Sequence, residues 1–200
     1  MTPAPSPPHA HLWLVRHGQT AWNLSGRYQG QADVPLNDTG WQQARALPAA
    51  LPGGDFAALY SSDLRRARDT ASVLAQHLSL PVQVDARLRE VRLGDWEGML
   101  FTDIQAQYPV EWQARQTDPL NAHPPGGENL TEVAARVWAA ADDIARQHPG
   151  RELVVVAHGL SLATLRVRAL GLPLSVAYDH VPENGRPERV TWSIQGDSAP

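Results

Sequence analysis

HLWLVRHG, residues His11 to Gly18, carries a continuous apolar run straight into an arginine, a histidine and a glycine. A second stretch, RELVVVAHG from Arg151 to Gly159, repeats the plan, with Leu153 to Ala157 leading into a histidine and a glycine. Unbroken, valine-rich runs of this length predict strands covered on both faces, as in a parallel sheet. Ligands of such sheets collect beyond the carboxyl ends of the strands. Both His-Gly pairs are expected at that rim. Packing alone does not require two strands to end this way.

The rest of the chain reads as further strands alternating with helices. Asn37, Asp38 and Thr39 offer caps for a helix through Trp41, Ala44 and Leu47. Ala57 to Ser61 reads as a strand. Asp63 to Leu78 has helical spacing, with Ala67, Thr70, Ala71, Leu74 and Leu78 on one face. Pro81 to Leu88 alternates as a third strand. Glu128 to His148 predicts the longest helix, opened by an Asn129–Glu132 pair at capping-box spacing. A helix from Ser161 to Leu170 stops at Gly171 and Pro173, and Arg189 to Ile194 reads as a last strand. This alternation predicts an α/β fold, a three-layer α/β/α sandwich on a mostly parallel sheet. One domain is expected over residues 11–195, between a disordered proline-rich arm (1–10) and a frayed tail (196–200).

Composition removes several kinds of chemistry. The 200 residues contain no cysteine, and all 17 cationic residues are arginines. Thiolate zinc sites, cysteine nucleophiles, Schiff-base lysines and the P-loop lysine are therefore excluded. A net charge of −4 gives no overall attraction to nucleic acid or anionic lipid. MTPAPSPPHAH has neither a basic start nor an apolar run, so neither a leader peptide nor a membrane anchor is expected, and the compartment reads as cytoplasmic. No HExxH and no close His/Asp cluster appears, and neither a metal nor a cofactor is expected. His9 and His11 read as part of a solvated tail.

A neutral imidazole has an exposed lone pair and can attack phosphorus. Phosphoryl transfer asks the protein mainly for positioning and for cationic donors around the equatorial oxygens. Arg16 beside His17 would supply one guanidinium fork, and Gly18 is expected to let backbone approach the anion.

Together, LVRHGQTAWN, SSDLRRARDTA, LREVRLGDWEG and VAHG resemble, in order and spacing, the histidine phosphatase superfamily, also called phosphoglycerate mutase-like. The resemblance runs from about Leu12 to Leu172. It implies His17 as a nucleophile that becomes phosphohistidine, and His158 as a second histidine donating to the phosphoryl group. It implies phosphate binding by Arg16, Arg66 and Asn23, with Arg65 pointing elsewhere, and Glu90 as proton donor to the leaving oxygen. A carboxyl group is ionised at neutral pH, but a bound phosphate dianion beside it would favour the protonated acid. Gln29, Gly30 and Leu160 are expected to contact the substrate.

The same residues serve mutases and phosphatases in that family. Cofactor-dependent mutases usually have arginine after the acid, where this chain has Val91. They usually have HGNSLR at the second histidine, where His158 to Ala163 reads HGLSLA. They have Thr-Gly-Trp where this chain has Gln29-Gly30-Gln31, and a pocket lysine that this chain lacks. PPGGEN, Pro124 to Asn129, looks like the phosphatase branch. The reading is a phosphomonoesterase acting on a small phosphorylated metabolite; the alternatives are a 2,3-bisphosphoglycerate-dependent mutase and a non-catalytic phosphate- or phosphopeptide-binding module. Residues 98–128, with Phe101, Tyr108, Trp112, Arg115 and His123, are expected to form a rim or lid that sets specificity. Trp22 and Trp96 are expected to wall the pocket. Neither nucleic acid nor membrane is an expected partner, and the chain could be a monomer or a homodimer.

Overall fold

The computed structural model describes residues 9–194. Five strands form one sheet in the order β3-β2-β4-β1-β5: β1 His9–Arg16, β2 Phe56–Ser61, β3 Val82–Val84, β4 Glu152–Ala157 and β5 Pro187–Ser193. β1, β2, β3 and β4 run parallel; β5 pairs antiparallel with β1. The two apolar runs that open into His-Gly are neighbours, with Arg16 level with Ala157. Successive residues of each face opposite layers. Leu12, Leu14, Leu153 and Val155 pack with α6 (Leu130–Gln147) and α7 (Gly159–Ala169). Val15, Val154 and Val156 pack with Leu47 of α2 (Asp38–Ala50) and with Ala67, Ala71 and Leu74 of α3 (Arg65–Leu78). Both faces are covered, which is why these strands are apolar throughout instead of alternating.

Local chemistry sets the helix starts. Asn37 accepts a hydrogen bond from Gly40 N at 2.8 Å and begins α2. Asn129 accepts from Glu132 N while Glu132 accepts from Asn129 N, a reciprocal box that opens α6. Its buried residues Leu130, Val133, Val137, Ala140, Ala141 and Ile144 recur at helical spacing. α7 begins at Gly159, two residues earlier than its sequence pattern suggests, so His158 stands at the junction of strand and helix. α3 begins at Arg65, not Asp63.

Three expectations change. The strand expected over 81–88 is only Val82–Val84, because Asp85 then accepts from Arg87 N and turns the chain into a 3-10 turn over Ala86–Leu88. β1 begins at His9, so His9 and Ala10 belong to the sheet and pair with Ser193 and Trp192 of β5. β5 itself spans Pro187–Ser193 instead of 189–194. The rest of the expected arm, residues 1–8, and the expected tail lie outside the described residues. Residues 98–128 contain two short helices, α4 (Phe101–Gln107) and α5 (Pro109–Thr117). A further helix, α1 (Ala21–Ser25), follows the rim of β1. No described helix is long and apolar enough to cross a membrane.

Candidate active site

β1 and β4 deliver the two histidines to one place. His17 N donates to Ala157 O at 3.0 Å, which extends the strand pairing by one step. The two imidazole rings lie 5.2 Å apart, centroid to centroid, at 59°. Both residues are buried, at 2% and 0% exposure. His17 Nδ1 lies 2.7 Å from Gly18 O; a carbonyl can only accept, so Nδ1 carries the proton. Nε2 keeps its lone pair and accepts from Arg66 Nε at 3.2 Å. The main-chain carbonyl of His17 accepts from Asn184 Nδ2 at 2.7 Å, a support with no sequence signal because it comes from 167 residues further along.

Gly18 earns its place differently from the reading of its sequence. A Cβ there would come 2.4 Å from Gly40 O, and one on Gly40 would come 2.1 Å from Gln19 O. The two glycines let the β1 rim lie directly on the start of α2. Gly18 N donates to Thr70 Oγ1 at 3.1 Å, and that hydroxyl donates to Arg66 O, so β1, α2 and α3 are locked together next to His17.

Arg66 is 1% exposed, whereas the side chain of Arg65 is 58% exposed and pairs with Asp69. Neighbouring helix positions point about 100° apart, which separates the two arginines. Besides Nε on His17, Arg66 donates from Nη1 to Ala32 O at 2.7 Å and from Nη2 to Gly30 O at 2.8 Å. It thereby holds the loop that carries Gln29 and Gly30. Gly30 has φ +51°, and a Cβ there would meet the Glu97 carboxylate at 2.3 Å, so any other residue would be strained at this turn. Gln29 is buried, its amide oxygen accepting from Thr20 Oγ1 at 2.9 Å. Asn23 closes a capping box with Thr20 at the start of α1, using its amide oxygen and leaving its amino group for the cavity it lines.

Glu90 comes from the segment after Leu88. Its carboxylate accepts from Leu160 N at 3.1 Å, Ser161 N at 3.2 Å and Val91 N at 3.0 Å, and so caps the start of α7. Its carbonyl is held by Arg136 and Gln31. Arg136, on α6, also donates to the carbonyls of Arg87 and Arg89 and pairs with Glu128 at 2.9 Å. Nothing in the local sequence marks Arg136, because its targets lie 46 to 49 residues away.

Burial, then the charges of Arg66 and Arg16, hold the His17 imidazole well below the usual histidine range, against the opposing pull of its bond to Gly18 O. Burial and the charges of Arg66, His17, Arg16 and Arg136 do the same for His158. Burial draws Arg66 down to about 10, opposed first by Glu90. Arg16 moves the same way for the same reason. The cluster is thus two neutral imidazoles between two cations.

A cavity of about 370 Å³ opens on this cluster, lined by Arg16, His17, Arg66, Glu90, Asn23, Gln29, Gly30 and Leu160, and further out by Trp22, Arg27, Tyr28, Leu93, Arg115 and Tyr178. Eight of the nine residues expected at the site line it. The ninth, His158, is not in the lining; its ring is tilted against that of His17, with Nε2 on Ser62 Oγ at 2.8 Å. Trp96 is not a wall: it is fully buried beneath the rim, where it packs on Tyr108 and Trp112. Among the described residues no group of three or more metal-ligating side chains exists.

The family model of the histidine phosphatase superfamily (branch 1) matches residues 12–196. A glucosyl-3-phosphoglycerate phosphatase of Mycolicibacterium vanbaalenii is 38% identical over 188 residues, covering 90% of this chain and 81% of that one. A probable phosphoglycerate mutase of Yersinia pestis is 34% identical over 163 residues, covering 81% and 75%. Among solved structures, the alpha-ribazole phosphatase from Shigella flexneri aligns with a TM-score of 0.81 at 29% identity, over 92% of this chain and 94% of that one. The chain belongs to the histidine phosphatase superfamily.

Proposed function

We propose that the protein hydrolyses phosphomonoesters of small metabolites through a phosphohistidine on His17. One observation carries the reading. Three buried side-chain polar atoms among the described residues have no hydrogen-bond partner, and two of them, Arg16 Nε and His158 Nδ1, belong to this cluster. Unpartnered buried polar groups are rare and costly. Two of them beside a neutral, tautomer-fixed imidazole fit a site whose partners are the oxygens of a bound phosphoryl group.

In this reading Nε2 of His17 forms a bond to phosphorus as the ester P–O bond breaks. Arg16 and Arg66 neutralise the equatorial oxygens, with Arg66 Nε passing from Nε2 to oxygen. When Ser62 Oγ–H donates to His158 Nε2, the ring proton sits on Nδ1 as a further donor. Glu90 delivers a proton to the leaving oxygen, then takes one from the water that attacks the phosphohistidine. Inorganic phosphate departs, and His17 is neutral again. The arginines supply the positive charge that a metal ion provides elsewhere, so turnover is expected to persist in EDTA.

Water is the acceptor in preference to a bound glycerate, because Val91 and Leu160 make the cavity wall apolar where mutases usually place polar or cationic groups. A second phosphate group against the Val91 and Leu160 side of the cavity would be left unpaired. The test is hydrolysis of p-nitrophenyl phosphate with EDTA present. His17→Ala should lower kcat by ~10³-fold or more. Undiminished turnover in that variant would refute the nucleophile, and 2,3-bisphosphoglycerate-dependent conversion of 3-phosphoglycerate would refute hydrolysis as the principal activity.

A further inference from the structure

Arg115 sits on α5, in the segment over the cavity, and lines that cavity. Its guanidinium carbon lies 4.4 Å from the ring centroid of Tyr178, 5.5 Å from Trp112, 5.6 Å from Tyr28 and 5.9 Å from Trp96. Four rings stabilise the cation through their faces and hold it in place, but they offer it almost no acceptors. Its one side-chain hydrogen bond is a long contact of 3.4 Å from Nη1 to the Tyr28 hydroxyl. Among the described residues it makes no ion pair with any carboxylate, although Asp179 shares the outer surface beside it. A guanidinium has five N–H donors in a rigid plane. This one is held by aromatic rings, half-buried and given a protein acceptor on only one of its nitrogens, in the same cavity as His17.

It lies outside the phosphate cluster. Arg66 bonds His17 directly and Arg16 precedes it in the chain, whereas the one side-chain hydrogen bond of Arg115 goes to Tyr28. We infer that Arg115 recognises a carboxylate on the organic part of the substrate, so that the preferred substrates are carboxylate-bearing phosphomonoesters. The inference rests on the phosphatase reading above. A single planar fork matches a carboxylate monoanion in bidentate geometry; a second phosphate dianion would call for a further cation, and Arg27, the other outer arginine of the cavity, already donates to Gly98 O at 2.7 Å. Tyr28 and Tyr178 would flank the chain or ring joining the carboxylate to the phosphate. Arg115 would thus set which ester binds, and the reacting atoms would be handled elsewhere.

The experiment compares kcat/KM for two matched pairs, each sharing one phosphorylated primary alcohol: 3-phosphoglycerate against glycerol 3-phosphate, and O-phosphoserine against O-phosphoethanolamine. The carboxylate member should be favoured about 10- to 100-fold, mainly through KM, since a bidentate charge-assisted pair is of that strength. Arg115→Gln should bring both ratios close to one, and Arg115→Lys should leave an intermediate preference. Loosening of the lid lowers both members of a pair together, so ratios in Arg115→Gln that equal those of the parent would overturn the assignment. Turnover of p-nitrophenyl phosphate with no preference within either pair would also overturn it while leaving the phosphatase reading intact. Failure to turn over any of these esters would overturn both.

Discussion

An imidazole enclosed by protein and flanked by two guanidinium groups cannot easily take a proton, and this links the site to the stability of the chain. In the unfolded state His17 and His158 protonate near pH 6.5, but folded they stay neutral well below it. Below about pH 6.5 the unfolded chain therefore binds more protons than the folded one. Stability is full above that value and is lost as pH falls towards the depressed folded values, by up to ~1.4 kcal/mol per pH unit for each ring. Urea unfolding at pH 7.5 and 5.5 should show the loss, and His158→Asn should reduce its slope; a flat profile in the parent protein would contradict the neutral pair. Gly18 is a second test at this scale. Gly18→Ala sets a methyl 2.4 Å from the Gly40 carbonyl, a backbone group that cannot swing aside. It should cost about 1–3 kcal/mol in urea unfolding and lower kcat by displacing His17. The motif around Gly18 was visible in the sequence, but its reason was not: the close partner is a glycine 22 positions away, and residue types alone do not reveal which backbone lies opposite.

Helices and strands with a covered face were the legible elements, because apolar spacing records burial. The strands around Val15 and Val155, and helix α6 through Ile144, lie where their patterns put them to within a few residues. The short third strand was misread, since Val82, Gln83 and Val84 alternate as a longer strand would until the Asp85 side chain diverts the backbone. The Glu90 segment has no regular pattern and is held in place by α6. Arg136 grips three of its carbonyls, and its partner Glu128 accepts from Arg92 N. Arg136→Gln should destabilise the fold by about 2 kcal/mol, less than for a wholly buried pair because the two side chains keep 19% and 15% of their surface exposed. It should also weaken Glu90, whose proton matters most for poor leaving groups. Hydrolysis of alkyl phosphates should therefore fall ~10-fold further than that of p-nitrophenyl phosphate, and adding Arg136→Gln to Glu90→Gln should cost little more. Equal losses on both ester types, multiplying with Glu90→Gln, would reduce Arg136 to a role in stability alone.

For the molecule as a whole, the sheet order β3-β2-β4-β1-β5 converts two distant sequence runs into one rim. Residue types and strand patterns placed Arg16, His17 and His158 at that rim, whereas Arg66, Asn23 and Glu90 were named only through the resemblance to a known family. Neither could identify Asn184, Ser62 or Arg136, whose importance comes from contacts made only after the chain has closed. The assembled rim concentrates two largely buried arginines and two unpartnered side-chain nitrogens, Arg16 Nε and His158 Nδ1, which the proposed oxyanion would partner. Inorganic phosphate or vanadate should therefore stabilise the entire fold and not merely occupy its surface. At a concentration 100 times its Kd, a ligand that binds only the folded state adds about 2.7 kcal/mol. For a chain of this size that is a rise in Tm of roughly 5–11 °C. Arg66→Gln removes the fork that spans His17 and the Gly30 loop, so the rise should largely vanish at the same ligand concentration, whatever the variant's own starting Tm. Chloride at equal ionic strength controls for salt and general screening. A parent protein whose Tm does not respond to phosphate or vanadate over that concentration range would show that the clustered arginines and imidazoles do not form an oxyanion site.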